Sequence, residues 1–356
     1  RAVNIPVITV GRYTEPQFAE LMVKEGRADL VAFGRQSLAD PAMPKKAQEE
    51  RLEDMTPCIA CLQGCVANMY AGNPVCCLTN PFLGHEAEPL EKAEEPKKVM
   101  VIGGGVAGLS AAFIAKERGH EVTLYEAGDV LGGNMRLAAY PPGKGDITNM
   151  IRSYIHRCQK DGVKIVMNCE VTPELIKEEK PDSVIIATGS KTLILPIEGI
   201  DNPAIIHGSD LLDGKRAAGK KVLVVGGGMV GCETAAFLGE QEHDVTVIEF
   251  RDTVGADVIH EHRVYLMKDF EDYGIKEITG AKVCKFYEDG VEYETADGVR
   301  HESRGYDSVI LSMGFRNYNP LEEKIKDLVP ETHVIGDAIR ARRALDATKE
   351  AYEVAS

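Results

Sequence analysis

The sequence predicts an α/β fold with mainly parallel sheets, and three observations carry that prediction. A unit of apolar strand, Gly-rich turn, helix and second apolar strand occupies 98–125 and returns about 123 residues later at 221–248. Short apolar runs closed by glycine, Ile5-Pro-Val-Ile-Thr-Val10 and Asp29-Leu-Val-Ala-Phe33, have the pattern of parallel strands buried on both faces. The composition, 44% hydrophobic and 27% charged, is that of a folded chain rather than a disordered one. At 356 residues the chain is long enough for two or three domains with cores of their own.

The first stretch reads as strand, helix, strand. Ile5 to Val10 is closed by Gly11; Thr14-Glu-Pro-Gln17 has the form of a capping box with proline in the first turn, and an amphipathic helix follows to Gly26. The second strand ends at Gly34, which completes one βαβ unit, too small to fold alone. From Cys58 to about Pro96 periodicity is weak, and 86–98 is a charged, proline-containing linker. Two βαβ units then follow. A separation of about 123 residues is no solenoid period, and it indicates two related nucleotide-binding domains.

Charge and hydropathy exclude several functions. The 41 Lys and Arg stand against 56 Asp and Glu, a net charge of -15, and no basic run offers a surface for nucleic acid or anionic lipid. The longest apolar stretch, 99–115, is interrupted by four glycines and followed by Lys116 and Glu117, so it does not read as a membrane span. The chain opens on Arg1 without a signal-peptide pattern and reads as a cytoplasmic piece of a longer protein. Five of its nine cysteines fall between Cys58 and Cys77, which favours metal or redox chemistry over structural cross-links.

Gly103-Gly-Gly105-Val-Ala-Gly108 fits G-x-G-x-x-G between a strand and a helix. The first glycine permits the tight turn, the second admits a pyrophosphate to the backbone, and the third lets helix and strand pack closely. The pyrophosphate then rests on the helix N-terminus. Glu126, 23 residues after Gly103, is placed to accept a ribose hydroxyl. The second copy is Gly226-Gly-Gly228-Met-Val-Gly231 with Glu249, again 23 residues on. An acidic residue there disfavours a 2′-phosphate, which points to NADH over NADPH, with Arg251 nearby as the contrary signal.

These units resemble the two-dinucleotide-domain flavoproteins of the glutathione-reductase type. Asp182-Ser-Val-Ile-Ile-Ala-Thr-Gly189 is similar to that family's strand leaving the FAD domain, and Asp307-Ser-Val-Ile-Leu-Ser-Met-Gly314 to its counterpart leaving the NAD domain. Thr332-His-Val-Ile-Gly336-Asp337 resembles the late FAD motif, whose Asp contacts the ribityl chain. The resemblance also implies FAD-facing roles for Leu131-Gly-Gly-Asn134, Lys144 and Val171; a lysine after Pro-Pro-Gly is equally a solvated loop residue. Disulfide reductases of this type need a close cysteine pair beside the flavin, and the first nucleotide domain holds only the separated Cys158 and Cys169. Cys232 and Cys284 are isolated and read as buried small hydrophobes.

The cluster Cys58-x2-Cys61-x3-Cys65-x11-Cys77 supplies four thiolates, three of them in one loop, as a cubane cluster needs. A structural zinc site is the alternative, but it normally shows two short pairs. Spacing alone leaves Cys76 and Cys77 open as the fourth ligand. Pro57-Cys-Ile-Ala-Cys61 and Cys77-Leu-Thr-Asn-Pro81 resemble the [4Fe-4S] segment of the 2,4-dienoyl-CoA reductase, enoate reductase and trimethylamine dehydrogenase group of NADH:flavin oxidoreductases, the old yellow enzyme branch, which places it at Cys77. In that group Gly11-Arg12 and Gly34-Arg35, each closing a parallel strand, would form the FMN phosphate site at the end of a TIM (β/α)8 barrel.

The resemblance therefore implies the end of an FMN-binding TIM barrel over 1–57 and an iron–sulfur segment with its linker over 58–95. It implies a Rossmann-like FAD domain over 96–210, an NAD(P)H domain over 211–315, and a return to the FAD domain over 316–356. It implies electron flow from NADH through FAD and the [4Fe-4S] cluster to FMN, reducing the activated C=C bond of an enoyl-CoA, dienoyl-CoA or 2-enoate. An amine dehydrogenase running in the opposite direction and an electron-transfer module serving a separate partner are the alternatives, and a homo-oligomer is compatible with each. In that group the proton donor lies on earlier barrel strands, so no catalytic acid is assigned.

Overall fold

The computed structural model describes residues 3–88 and 90–356; Arg1, on which the sequence opens, lies outside them. The chain divides into two compact units, one of Arg1–Met135, Asp146–Gly189 and Tyr318–Ser356, the other of Arg136–Gly145 and Ser190–Asn317.

The first unit is built on a five-stranded, all-parallel sheet in the order Glu331–Val334, Ser183–Ile186, Lys98–Ile102, Glu121–Tyr125, Lys164–Val166. The central strands are apolar because both faces are covered. Helix Val106–Glu117 is buried along Val106 to Ala115 and is correspondingly apolar all round. The helix Ala344–Ala355 packs along it. Helix Asp146–Lys160 buries one stripe only, Ile147, Met150, Ile151, Tyr154 and Cys158, at positions i, i+3, i+4, i+7 and i+11. Each fully buried large side chain, Phe113 and Met150 among them, contributes about 1.5–3 kcal/mol.

At the N-terminal end, strands Ile8–Val10 and Leu30–Ala32 pair in parallel around helix Pro16–Lys24. The capping box does not form. Glu15 is the cap residue and makes no side-chain cap, and Thr14 stands one position too early. Nor are these strands buried: Ile8, Val10 and Leu30 are 61%, 69% and 56% exposed. A two-stranded pair with one helix covers a single face of strands whose sequence suits two.

Asp54 ties this end of the chain to helix Asp146–Lys160. Its carboxylate accepts from Arg51 Nη1 at 2.8 Å, Lys160 Nζ at 2.5 Å and lies 3.0 Å from His156 Nε2. The Lys160 ammonium first, then His156 and Arg51, hold the Asp54 carboxyl well below the usual carboxylate range despite its burial. A depressed folded-state pKa contributes stability above the unfolded value and loses it as pH falls through the folded one. Asp54→Asn is thus expected to lower the melting temperature at pH 7 and to flatten its fall below about pH 4. An unchanged acid limb in a thermal melt series would rule this out.

The second unit carries its own five-stranded parallel sheet, ordered Lys276–Ile278, Asp244–Ile248, Lys221–Val225, Ser308–Leu311, Ile206–His207. A three-stranded antiparallel sheet, Lys282–Tyr287, Gly290–Glu294 and Arg300–Ser303, accompanies it, and Ser190–Thr192 pairs with Phe315–Asn317. The division differs from the sequence-based one. Residues 190–210, assigned there to the first nucleotide domain, supply the edge strand Ile206–His207 of the second, and 136–145 also belongs to the second unit. Cys158 and Cys232 are buried as expected, whereas Cys284 is only partly buried, since its antiparallel sheet leaves one face open. Among the described residues no helix is long and apolar enough to cross a membrane.

Candidate cofactor sites

Both Gly-rich loops lie at the carboxyl end of the central strand of a parallel sheet, where the strand order reverses, the usual ligand crevice of such sheets. In the first, Gly103 has φ +109°, and a Cβ there would come 2.3 Å from the Ala187 carbonyl oxygen. A Cβ on Gly108 would lie 1.9 Å from the Gly103 carbonyl oxygen. Gly105, by contrast, faces open space and caps helix Val106–Glu117 without any side-chain acceptor. The N–H groups of that first turn form an anion cradle, and the chemistry fits a pyrophosphate. Glu126 stands at the end of the neighbouring strand, its carboxylate accepting from the Gly104 and Gly128 amides at 2.7 Å each.

The second loop repeats this design. Gly226 has φ +106° against the Ser312 carbonyl, and Gly231 packs on the Gly226 carbonyl. Glu249 accepts from Gly227 N at 2.5 Å and Arg251 N at 2.9 Å. The late motif returns to the first loop: a Cβ on Gly336, φ +63°, would meet Ala107 Cβ at 3.0 Å. Asp337 accepts from the Arg342 amide at 3.0 Å. Asn134 is exposed in the helical turn Gly133–Leu137, and Val171 is buried in the core with Met100, Ile102 and Tyr125. Lys144 makes an ion pair with Glu233, a buried residue of helix Met229–Glu240 whose carboxyl is pushed up by desolvation against the pull of the lysine.

Cys58, Cys61, Cys65, Cys76 and Cys77 line one cavity, together with Arg35. The loop is wound through left-handed residues Ala60, φ +52°, and Leu62, φ +58°. This winding lets the Ala60 and Gln63 amides donate to the Cys58 and Cys61 sulfurs. Burial pushes both thiols up, Cys61 to about 12, and the neighbouring cysteines add to the effect. Thr79 Oγ1 is 3.3 Å from Cys77 Sγ. Cys76 is held differently: Asn68 Nδ2 donates to its sulfur at 3.4 Å, and a Cβ on Gly64 would lie 2.8 Å from that sulfur. Among the described residues no three His, Cys, Asp or Glu side chains converge on a point able to hold a single ion.

Of the four residues read as a flavin phosphate site, Gly11 and Gly34 are exposed with open space around them. Arg12, φ +51°, forms an ion pair with Asp146. Arg35 opens helix Arg35–Ala39 and faces the cysteine cavity.

Three supporting residues escape the sequence reading. Gln36, buried, donates to the Thr56 carbonyl at 2.9 Å and accepts from the Cys58 amide at 2.8 Å. Asp40, also buried, holds the Thr56 amide at 2.9 Å. Both belong to Phe33-Gly-Arg-Gln-Ser-Leu-Ala-Asp-Pro41, a segment whose sequence signal is its phosphate-facing glycine and arginine. The third is Glu233, which marks no pattern of its own on its helix.

Residues 97–333 match the family described as pyridine nucleotide-disulphide oxidoreductase, and residues 1–54 match the NADH:flavin oxidoreductase / NADH oxidase family. The chain is 37% identical to an NADH oxidase of Thermoanaerobacter brockii, with 100% of this chain and 56% of the relative covered. It is 34% identical to a cinnamate reductase of Clostridium sporogenes, covering 100% of this chain and 53% of that protein. Among solved structures, a 2-naphthoyl-CoA reductase complex superposes with a TM-score of 0.95 at 34% identity, over 99% of this chain and 54% of the other. The chain thus spans about half the length of the relatives it matches.

Proposed function

Since the chain belongs to the pyridine nucleotide-disulphide oxidoreductase family, we propose that it is the electron-input portion of an NADH-dependent flavin and iron–sulfur oxidoreductase that reduces activated C=C bonds. Loaded, its cofactors would supply a path from NADH through FAD and a [4Fe-4S] cluster to FMN, with single-electron steps at the cluster joining two-electron donor and acceptor. The observation that carries the reading is the cavity lined by five cysteines and Arg35. It brings the end of a parallel strand, the type of position that binds flavin phosphate in barrels, to the wall of a thiol-rich pocket.

The chain's own residues have distinct tasks in this scheme. Gly103, Gly105 and Gly108 shape the FAD cradle, Glu126 takes the adenosine ribose, and Asn134, Val171, Gly336 and Asp337, all of the first unit, border the remainder of the flavin. Gly226, Gly228, Gly231 and Glu249 hold NADH, whose free 2′-hydroxyl suits the carboxylate. Cys58, Cys61, Cys65 and Cys77 hold the cluster, and the Ala60 and Gln63 amides, which donate to sulfur, raise its potential. Gly11, Arg12, Gly34 and Arg35 bind FMN phosphate, with Arg12 exchanging Asp146 for the ligand. The exposed apolar strands Ile8–Val10 and Leu30–Ala32 suit a barrel that continues beyond them.

The substrate class follows from the relatives. Cinnamate and 2-naphthoyl-CoA, named for two of them, share an electron-poor unsaturated acyl group. An anaerobic NADH titration, with flavin and iron assayed in the same sample, tests the proposal. Expected are bleached flavin, a reduced-cluster EPR signal, iron near about four per chain, and reoxidation by an enoyl compound in the intact protein. A flavin spectrum unmoved by NADH while ADP binds would sink the reductase direction and leave the amine dehydrogenase.

A further inference from the structure

The two nucleotide loops differ at one point. In the first unit Gly132 N donates to the Gly104 carbonyl at 2.8 Å, and in the second Gly255 N donates to the Gly227 carbonyl at 2.7 Å. These equivalent bonds set the two segments in register, so that Asp257 stands where the first unit has Asn134. The neutral residue is thus replaced by a carboxylate. Asp257 Oδ1 accepts from Met229 N, the first amide of helix Met229–Glu240, at 2.8 Å. Its Oδ2 would lie 3.5 Å from a Cβ on Gly228, whereas the same position on Gly105 looks into open space. With Glu249 on the Gly227 amide, two carboxylates hold consecutive parts of the loop.

A pyrophosphate settles on the amides at such a helix N-terminus, and Met229 N is one of them. We propose that Asp257 is a resident anion of the second loop, which the nucleotide's pyrophosphate must displace, and that it thereby sets pyridine-nucleotide affinity. Asp257 is exposed, so its side chain has solvent to swing into. Displacement removes a charged hydrogen bond and brings a like charge close, so the bound state is weakened without loss of the cradle. The first loop has no such carboxylate in register and holds its dinucleotide without this competition. That contrast suits a tightly held FAD and an exchanging NADH.

The inference rests on the second loop being the NADH site, and the test separates the two. Calorimetric titrations with NADH, ADP and adenosine would compare the wild-type protein with Asp257→Asn and Asp257→Ala. Asn keeps an oxygen acceptor for Met229 N and removes only the charge. Both variants are expected to bind NADH and ADP roughly fivefold to tenfold more tightly, a change of about 1–1.4 kcal/mol. Adenosine, which has no phosphate, should be unaffected, and FAD content should stay constant. Equal or weaker ADP binding by folded Asp257→Asn would overturn the role of Asp257 while leaving the site intact. Failure of wild type and variants alike to bind either nucleotide would overturn the site itself, and this inference with it.

Discussion

Replacing Cys61 by serine is expected to strip the chain of iron to below about a tenth of wild-type content while both nucleotide-binding units stay folded. The Cys61 thiol is pushed up to about 12 by desolvation, and metal binding requires and drives the loss of its proton. A serine hydroxyl at the same place is a harder and far weaker donor to iron. Cys58→Ser, Cys65→Ser and Cys77→Ser should behave alike. Cys76→Ser should retain its iron, because that sulfur is engaged by Asn68 and backed by Gly64, whereas Cys77 Sγ lies beside the Thr79 hydroxyl, which can donate to a thiolate. Iron and sulfide assays, the EPR spectrum and far-ultraviolet circular dichroism read the outcome. Iron retained by Cys77→Ser but lost from Cys76→Ser would exchange the two assignments. Iron retained by Cys61→Ser would remove the cluster from this loop altogether.

How much of this is legible in the sequence varies with how local the physics is. The Gly-rich loops are legible because Gly108 and Gly231 are constrained sterically within one turn, against the carbonyls of Gly103 and Gly226, although Gly103 and Gly226 also meet the distant Ala187 and Ser312 carbonyls. Glu126 and Glu249 are legible because the length of a βαβ unit fixes the distance from loop to acidic residue. The five cysteines announce their common pocket by spacing. Other features depend on contacts that no window of sequence contains. Asp257 sits in an irregular segment, and its significance emerges only once Gly255 is seen docked on Gly227 as Gly132 is on Gly104. Gln36 and Asp40 act on Thr56 and Cys58 from 16 to 22 residues away, past helix Met43–Gln48. The edge strand of the second sheet is hidden from local sequence for the same reason. Ile206–His207 joins the second sheet by pairing with Ser308–Leu311, about a hundred residues on, and nothing local to 190–210 records that partner.

Gly108→Ala and Gly105→Ala are expected to separate folding from binding within a single loop. The methyl that Gly108→Ala introduces has no room: 1.9 Å from the Gly103 carbonyl oxygen, it forces helix Val106–Glu117 away from strand Lys98–Ile102. That helix is buried along nearly its whole length and cannot shift without opening the core around Phe113 and Leu109. Overpacking of this kind costs about 1–3 kcal/mol and occasionally more, and FAD retention should fall with the fold. The methyl that Gly105→Ala introduces meets no protein atom within 4 Å, and Gly105 has an extended backbone that alanine adopts freely, φ -74° and ψ -178°. Gly105→Ala should therefore melt with wild-type stability yet purify with little FAD, because its methyl fills the space over the helix amides where pyrophosphate would rest. Thermal melts and flavin content of the two variants, with Gly231→Ala and Gly228→Ala as the pair in the second loop, distinguish these effects. A Gly105→Ala protein that holds FAD like wild type would mean that the first loop is a packing device and not a cradle. In that case the open face of Gly105 would have no ligand to explain it.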